Sequence, residues 1–118
     1  MAQKAVSMVF NVLARRKGDM WIAHCLELDV VTTAESVENL KKDMEDLILA
    51  QVDYAFSNDN LDNLYHPAPP EVWKSFYKCK DHTEDRIPIK SSFRSGKKTF
   101  VPPWIIAKTC FAQKTSLA

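Results

Sequence analysis

Apolar and polar positions alternate along residues 4–15. Val6, Met8, Phe10, Val12 and Ala14 fall on one side, and Ala5, Ser7, Val9, Asn11 and Leu13 on the other. A period of two with β-branched and aromatic side chains predicts a strand. Arg16-Lys17-Gly18-Asp19 follows, and Gly18 supplies the permissive backbone that a hairpin needs. Met20 to Cys25 reads as a second strand, Leu26 to Asp29 as a short break, and Val30 to Thr33 as a third strand. Links this short allow only an antiparallel meander.

The period then changes. Val37, Leu40, Met44, Leu47, Ile48, Val52 and Ala55 recur at spacings of three and four, the apolar stripe of a helix. Ser36 is a good N-cap, because its hydroxyl accepts a backbone N–H that the helix leaves unpaired. Glu35 and Glu38 lie near the positive end of the helix dipole. The predicted helix runs from about Val37 to Phe56, roughly 30 Å. Together these elements make a two-layer β-β-β-α unit over residues 1–57.

Residues 58–118 predict an extension of the same single domain. Ser57-Asn58-Asp59-Asn60 stops the helix, and Pro67, Pro69 and Pro70 set an extended link. Pro70 suits the first turn of a short helix over about 71–78, with Val72, Trp73, Phe76 and Tyr77 as its buried side. Asp81 to Arg86 is polar and loop-like. Ile87 to Phe93 and Phe100 to Ala107 are candidate strands, with a turn at Ser95-Gly96-Lys97. Pro102-Pro103 restricts the second of these to an edge or an arm. The expected fold class is therefore α+β: a three-stranded meander, one long helix, and an extension with a short helix and one or two strands.

Composition narrows the class. The 118 residues are 46% apolar and 26% charged, with a net charge of +1, too apolar and too neutral for a disordered chain. No apolar run approaches the roughly 20 residues that cross a bilayer, and the N-terminus lacks the order of a signal peptide. Cys25, Cys79 and Cys110 are odd in number and far apart. They do not read as a disulfide framework, so a cytoplasmic setting is expected. The charge is divided: residues 1–85 carry 9 Lys+Arg against all 15 acids, whereas residues 86–118 carry seven bases and no acid. An acidic body suits a basic partner. The basic tail suits nucleic acid, or neutralisation by its own body or a second copy.

Candidate chemistry is sparse. His24 and Cys25 are strand neighbours and point to opposite faces. Cys79 and His82 have ligand-like spacing, but the second pair of a structural zinc site is missing. With Gly18 and Gly96 the only glycines, neither a phosphate loop nor a dinucleotide fingerprint can be built. No G-x-S-x-G turn marks a nucleophile. No catalytic residue, metal or cofactor is expected. Asp43, Glu45 and Asp46 read as a solvated helix face or as a contact surface for a basic partner. Trp21, Trp73 and Trp104 are either stacking platforms for bases or packing residues.

The stretch WIAHCLELDVVTTAESVENLKKDMEDLILAQ, with the strand and basic-Gly-Asp turn before it, resembles the HicB family of antitoxins over about residues 4–57. Trp21, Ala23, His24, Cys25, Glu27, Leu28, Asp29, Ser36 and Leu40 stand where that family shows its motif. The resemblance implies a partial RNase H-like fold and a non-catalytic role: binding and neutralising a small, basic, RNA-cleaving HicA-type toxin by occlusion. The first strand, Lys4 to Arg15, holds no acid, whereas RNase H chemistry needs converging carboxylates on two metals. The expected partner-binding residues are Trp21, Glu27, Asp29, Glu38, Glu45 and Asp46. The alternative is a stand-alone relative serving another partner, or one binding nucleic acid through Arg86, Lys90, Arg94, Lys97, Lys98 and Trp104. No helix-turn-helix or ribbon-helix-helix segment is legible in residues 60–118. A homodimer or higher oligomer is expected, because one helix on a small sheet leaves a face and an edge open.

Overall fold

The structure is a computed structural model that describes residues 8–58, 60–88 and 104–112. The alternating N-terminal segment forms β1 (Met8–Lys17), and the next two runs form β2 (Met20–Cys25) and β3 (Val30–Ala34). Gly18 turns the first hairpin with φ +62°, a conformation that strains a residue with a Cβ. Both hairpins pair antiparallel, Ala14 opposite Ala23 and Ala23 opposite Thr32. The expected meander is present.

The long helix, α1 (Val37–Ser57), is capped by Ser36, whose Oγ accepts from Asn39 N at 3.2 Å. Its inner stripe of Leu40, Met44, Ile48, Val52, Ala55 and Phe56 is buried. It packs on the sheet face that carries Phe10, Val12, Ala14, Ala23 and Cys25. A 3-10 turn at Leu61–Asn63 then leads into α2 (Pro70–Lys78).

The second half of the chain departs from expectation. His82–Pro88, of which the first residues read as a loop, is strand β4, and Trp104–Phe111 is β5. Both join the same sheet, which has five strands in the order β3-β2-β1-β5-β4. The sheet is mixed: β5 runs parallel to β1, with Met8 beside Ile105 and Ala14 beside Phe111, and antiparallel to β4. So β5 is an interior strand, not the edge or arm that Pro102-Pro103 implied. As described, β5 is Trp104–Phe111 and contains no proline, so each of its residues keeps a backbone N–H for the ladder. The segment 81–86 is polar because β4 lies at the sheet margin, where its side chains can face water. The expected turn at residues 95–97 and the far end of the expected strand 87–93 lie outside the described residues.

The sheet face away from α1 is partly covered. There α2 packs Phe76 against Leu13, Leu26, Ala68 and Cys110, with Val72 and Trp73 half-buried at the margin. Tyr77, expected inside, is 72% exposed. Nine residues make only two and a half turns, and the buried stripe is one side chain wide there. The link before α2 is docked by backbone bonds from His66 N to Glu27 O and from Ala68 N to Leu26 O, at 2.8 and 2.7 Å. Cys79, at the end of α2, is disulfide-bonded to Cys110 on β5. This corrects the expectation that the cysteines stay unpaired. It also removes the cysteine-based reason for a reducing compartment. The pairing joins residues 31 positions apart, and only the fold brings them together. Cys25 remains a free, buried thiol. Among the described residues, no helix is long and apolar enough to cross a membrane.

Candidate functional site

Trp21 lies on β2, half-buried on the α1 side of the sheet. Its ring meets Phe111 of β5 edge to face, with centroids 6.1 Å apart, and the Arg16 guanidinium sits 5.7 Å over it. Lys41 of α1 lies 5.7 Å over the Phe111 ring and 3.4 Å from Asp85 of β4. Glu45, one helical turn on from Lys41, is half-buried beside this pair. Burial, then the neighbouring charges of Asp85 and Asp46, raise the Glu45 carboxyl pKa, against a smaller opposing effect of Lys41. Trp21 and Glu45 are thus linked through Phe111 and Lys41. Beneath them a cavity of about 10 Å³ is lined by Val12, Leu40, Met44 and Thr109 among others.

Glu27 and Asp29 sit elsewhere, in the turn between β2 and β3. Glu27 accepts from Asn11 N at 2.7 Å and from Asn11 Nδ2 at 2.5 Å. Its carboxylate is half-buried and spent on holding the turn to β1. Nearby, Tyr65 stacks on Phe10 at 6.1 Å; burial and the Glu27 charge raise the pKa of its phenol. Asp29 takes a left-handed backbone, φ 56°, which aspartate tolerates better than most side chains. It accepts from His24 Nε2 at 2.7 Å. Glu38 and Asp46 are exposed on α1, which starts at the far end of β3 from Asp29. The six expected contact residues therefore divide between the α1 flank, the β2–β3 turn and the start of β2.

Of the basic set, Arg86 is exposed on β4 and Trp104 opens β5. Lys90, Arg94, Lys97 and Lys98 lie outside the described residues. Lys108 of β5 comes within 3.9 Å of Glu84, so one base of the tail faces an acid of the body. Among the described residues, no three His, Cys, Asp or Glu side chains converge as metal ligands. His82 Nε2 instead lies 2.9 Å from Cys79 O, and the Cys79 sulfur is bound to Cys110.

Two features escape linear reading. Lys41 and Asp85 meet only because α1 crosses the sheet toward β4, although the Lys41–Glu45 spacing of four was a local sign of a charged helix flank. On the opposite sheet face, α2 and the strands leave a groove of about 270 Å³ lined by Leu13, Arg15, Ile22, His24, Val31 and Glu71 among others. Compared with models of protein families, with curated proteins and with solved structures, the chain matches none.

Proposed function

We propose that this chain is a HicB-like binding protein that neutralises a small, basic, RNA-cleaving toxin by covering it, with no chemistry of its own. The observation that carries the reading is the outer flank of α1. Val37–Ser57 holds five acids and two lysines, and Glu38, Asp43 and Asp46 are all exposed on one helix held rigidly by its buried stripe. A toxin that cleaves RNA must carry a basic surface to hold its substrate. A helix presenting fixed negative charge competes for that surface and speeds encounter. The β-β-β-α start and the motif residues that resemble the HicB family support the same reading. The absence of any acid in β1 speaks against two-metal nuclease chemistry.

The test is a binding titration between the folded protein and a HicA-type toxin encoded in the same genome. Complex formation at micromolar concentration or tighter, weakened at least about tenfold by Glu38→Lys with Asp46→Lys and weakened further by salt, is the expected result. No complex with both proteins folded overturns the reading for that partner.

A further inference from the structure

Its two outer strands treat the sheet's margins differently. β4, at one margin, carries His82, Glu84, Asp85 and Arg86 and ends at Pro88. Charges and a proline are the usual means of keeping a stray strand from pairing. β3, at the other margin, is Val-Val-Thr-Thr-Ala, with neither charge nor proline.

The hydrogen-bonding phase of β3 follows from the first hairpin. In a two-residue hairpin the closing pair, here Lys17 and Met20, is hydrogen-bonded, and every second pair after it. Leu26 N bonding to Asn11 O at 2.8 Å continues that series. The alternate residues Trp21, Ala23 and Cys25 therefore turn their backbone groups toward β3. Their partners Ala34, Thr32 and Val30 are bonded inward. Val31 and Thr33 direct their N–H and C=O groups away from the sheet. Val31 is also 52% exposed and lines the groove together with His24 and Arg15.

We infer that the β3 margin is a docking site for an extended segment of a basic partner, which adds to the sheet as a sixth strand. Backbone bonds to Val31 and Thr33 hold it, and the groove beside Val31 selects one side chain. Charge points to the occupant. Exposed acids flank the neutral strand, Asp29 before it and Glu35 after it. Antiparallel pairing with a second copy about Thr32 brings the acids at the two ends of one β3 toward those of the other, and like charges brought close repel. A strand with β-branched residues in its centre and Lys or Arg at both ends meets both acids with opposite charge. This inference rests on the proposed basic partner and names the contact it uses.

Amide hydrogen exchange on the full chain, alone and with the toxin, tests it. In the complex the Val31 and Thr33 amides slow by at least about tenfold, whereas Val30, Thr32 and Ala34, already bonded to β2, change little. Val31→Pro removes one outward donor without touching a β2 bond, and Val31→Lys serves if the proline variant does not fold. Either weakens binding at least about tenfold. A complex that forms without slowing Val31 and Thr33 overturns the docking site and leaves the proposed function standing. Absence of any complex overturns the proposed function, and a peptide then decides the margin: alternating Val and Thr, flanked by Lys pairs or by Glu pairs. Binding of the Lys-flanked peptide alone supports the site, and equal binding or none overturns it. Protection of Val31 and Thr33 that grows with the concentration of the protein alone overturns the choice of occupant in favour of a second copy.

Discussion

The Glu27 carboxylate holds Asn11 by both of its donor groups, accepting the backbone N–H through Oε1 and the side-chain amide N–H through Oε2. This clamp joins the β2–β3 turn to β1, and the link before α2 hangs from the same turn. Glu27→Ala leaves the Asn11 N–H without its partner and should destabilise the fold by about 2–3 kcal/mol, whereas Glu27→Gln keeps one acceptor and should lose less. Urea unfolding midpoints of the two variants measure the difference. Weaker partner binding in Glu27→Ala would then reflect folding before contact.

Glu45→Gln should stabilise the protein at neutral pH. The folded pKa of this carboxyl is raised by burial and by Asp85 and Asp46, so wild-type stability falls as pH rises from the unfolded pKa through the folded one. The glutamine variant is spared that loss. Its advantage should vanish once the pH drops below the ordinary carboxylate range, where both side chains are neutral. Thermal unfolding of the two proteins across pH 3 to 7 checks the sign.

Burial pushes the Cys25 thiol from 9.0 up to about 12. Between those values the unfolded chain loses this proton and the folded chain keeps it, so stability drops as pH rises through the window, by up to about 4 kcal/mol. Cys25→Ala, compared with the parent from pH 8 to 11, should show a shallower decline. Alkylation of Cys25 in the native protein should proceed only as fast as the fold opens.

The Cys79–Cys110 bond closes a loop of 31 positions. On chain entropy its removal costs about 3–4 kcal/mol. Reduction, or Cys79→Ala with Cys110→Ala, should lower the denaturant midpoint accordingly, and α2 should be the first element to lose amide protection.

Phe76 and Tyr77 are neighbours with opposite fates, 5% and 72% exposed. Phe76→Ala should lose about 3–5 kcal/mol and Tyr77→Ala less than about 1. Comparable losses would mean that α2 packs through a wider face than Phe76 alone.

The first half of the chain was legible because its contacts are local. Alternation marks β1, a glycine marks its turn, and the three-and-four spacing that begins after Ser36 marks α1. The second half was not, for three physical reasons. Pairing with β5, rather than composition, makes a strand of the polar run His82–Arg86. Pro102-Pro103 marks where β5 can start, not whether it is interior. Cys79 and Cys110 are near one another only once α2 and β5 are placed. At the candidate site, the acidic flank of α1 was readable from helical spacing. The internal use of Glu27 was not, because its partner Asn11 lies on another strand.

The parallel pairing of β1 with β5 imposes an order on assembly. While the chain is being synthesised, the meander and α1 can come together early, yet the free side of β1 stays vacant until β5, made more than eighty residues later, arrives. Over that interval β1 is an outer strand, and the nascent protein offers a bare row of amides and carbonyls where the middle of its finished sheet will be. Slow translation or a delayed Cys79–Cys110 closure would lengthen the exposure, and an intruding strand from a neighbouring chain would find its opening there.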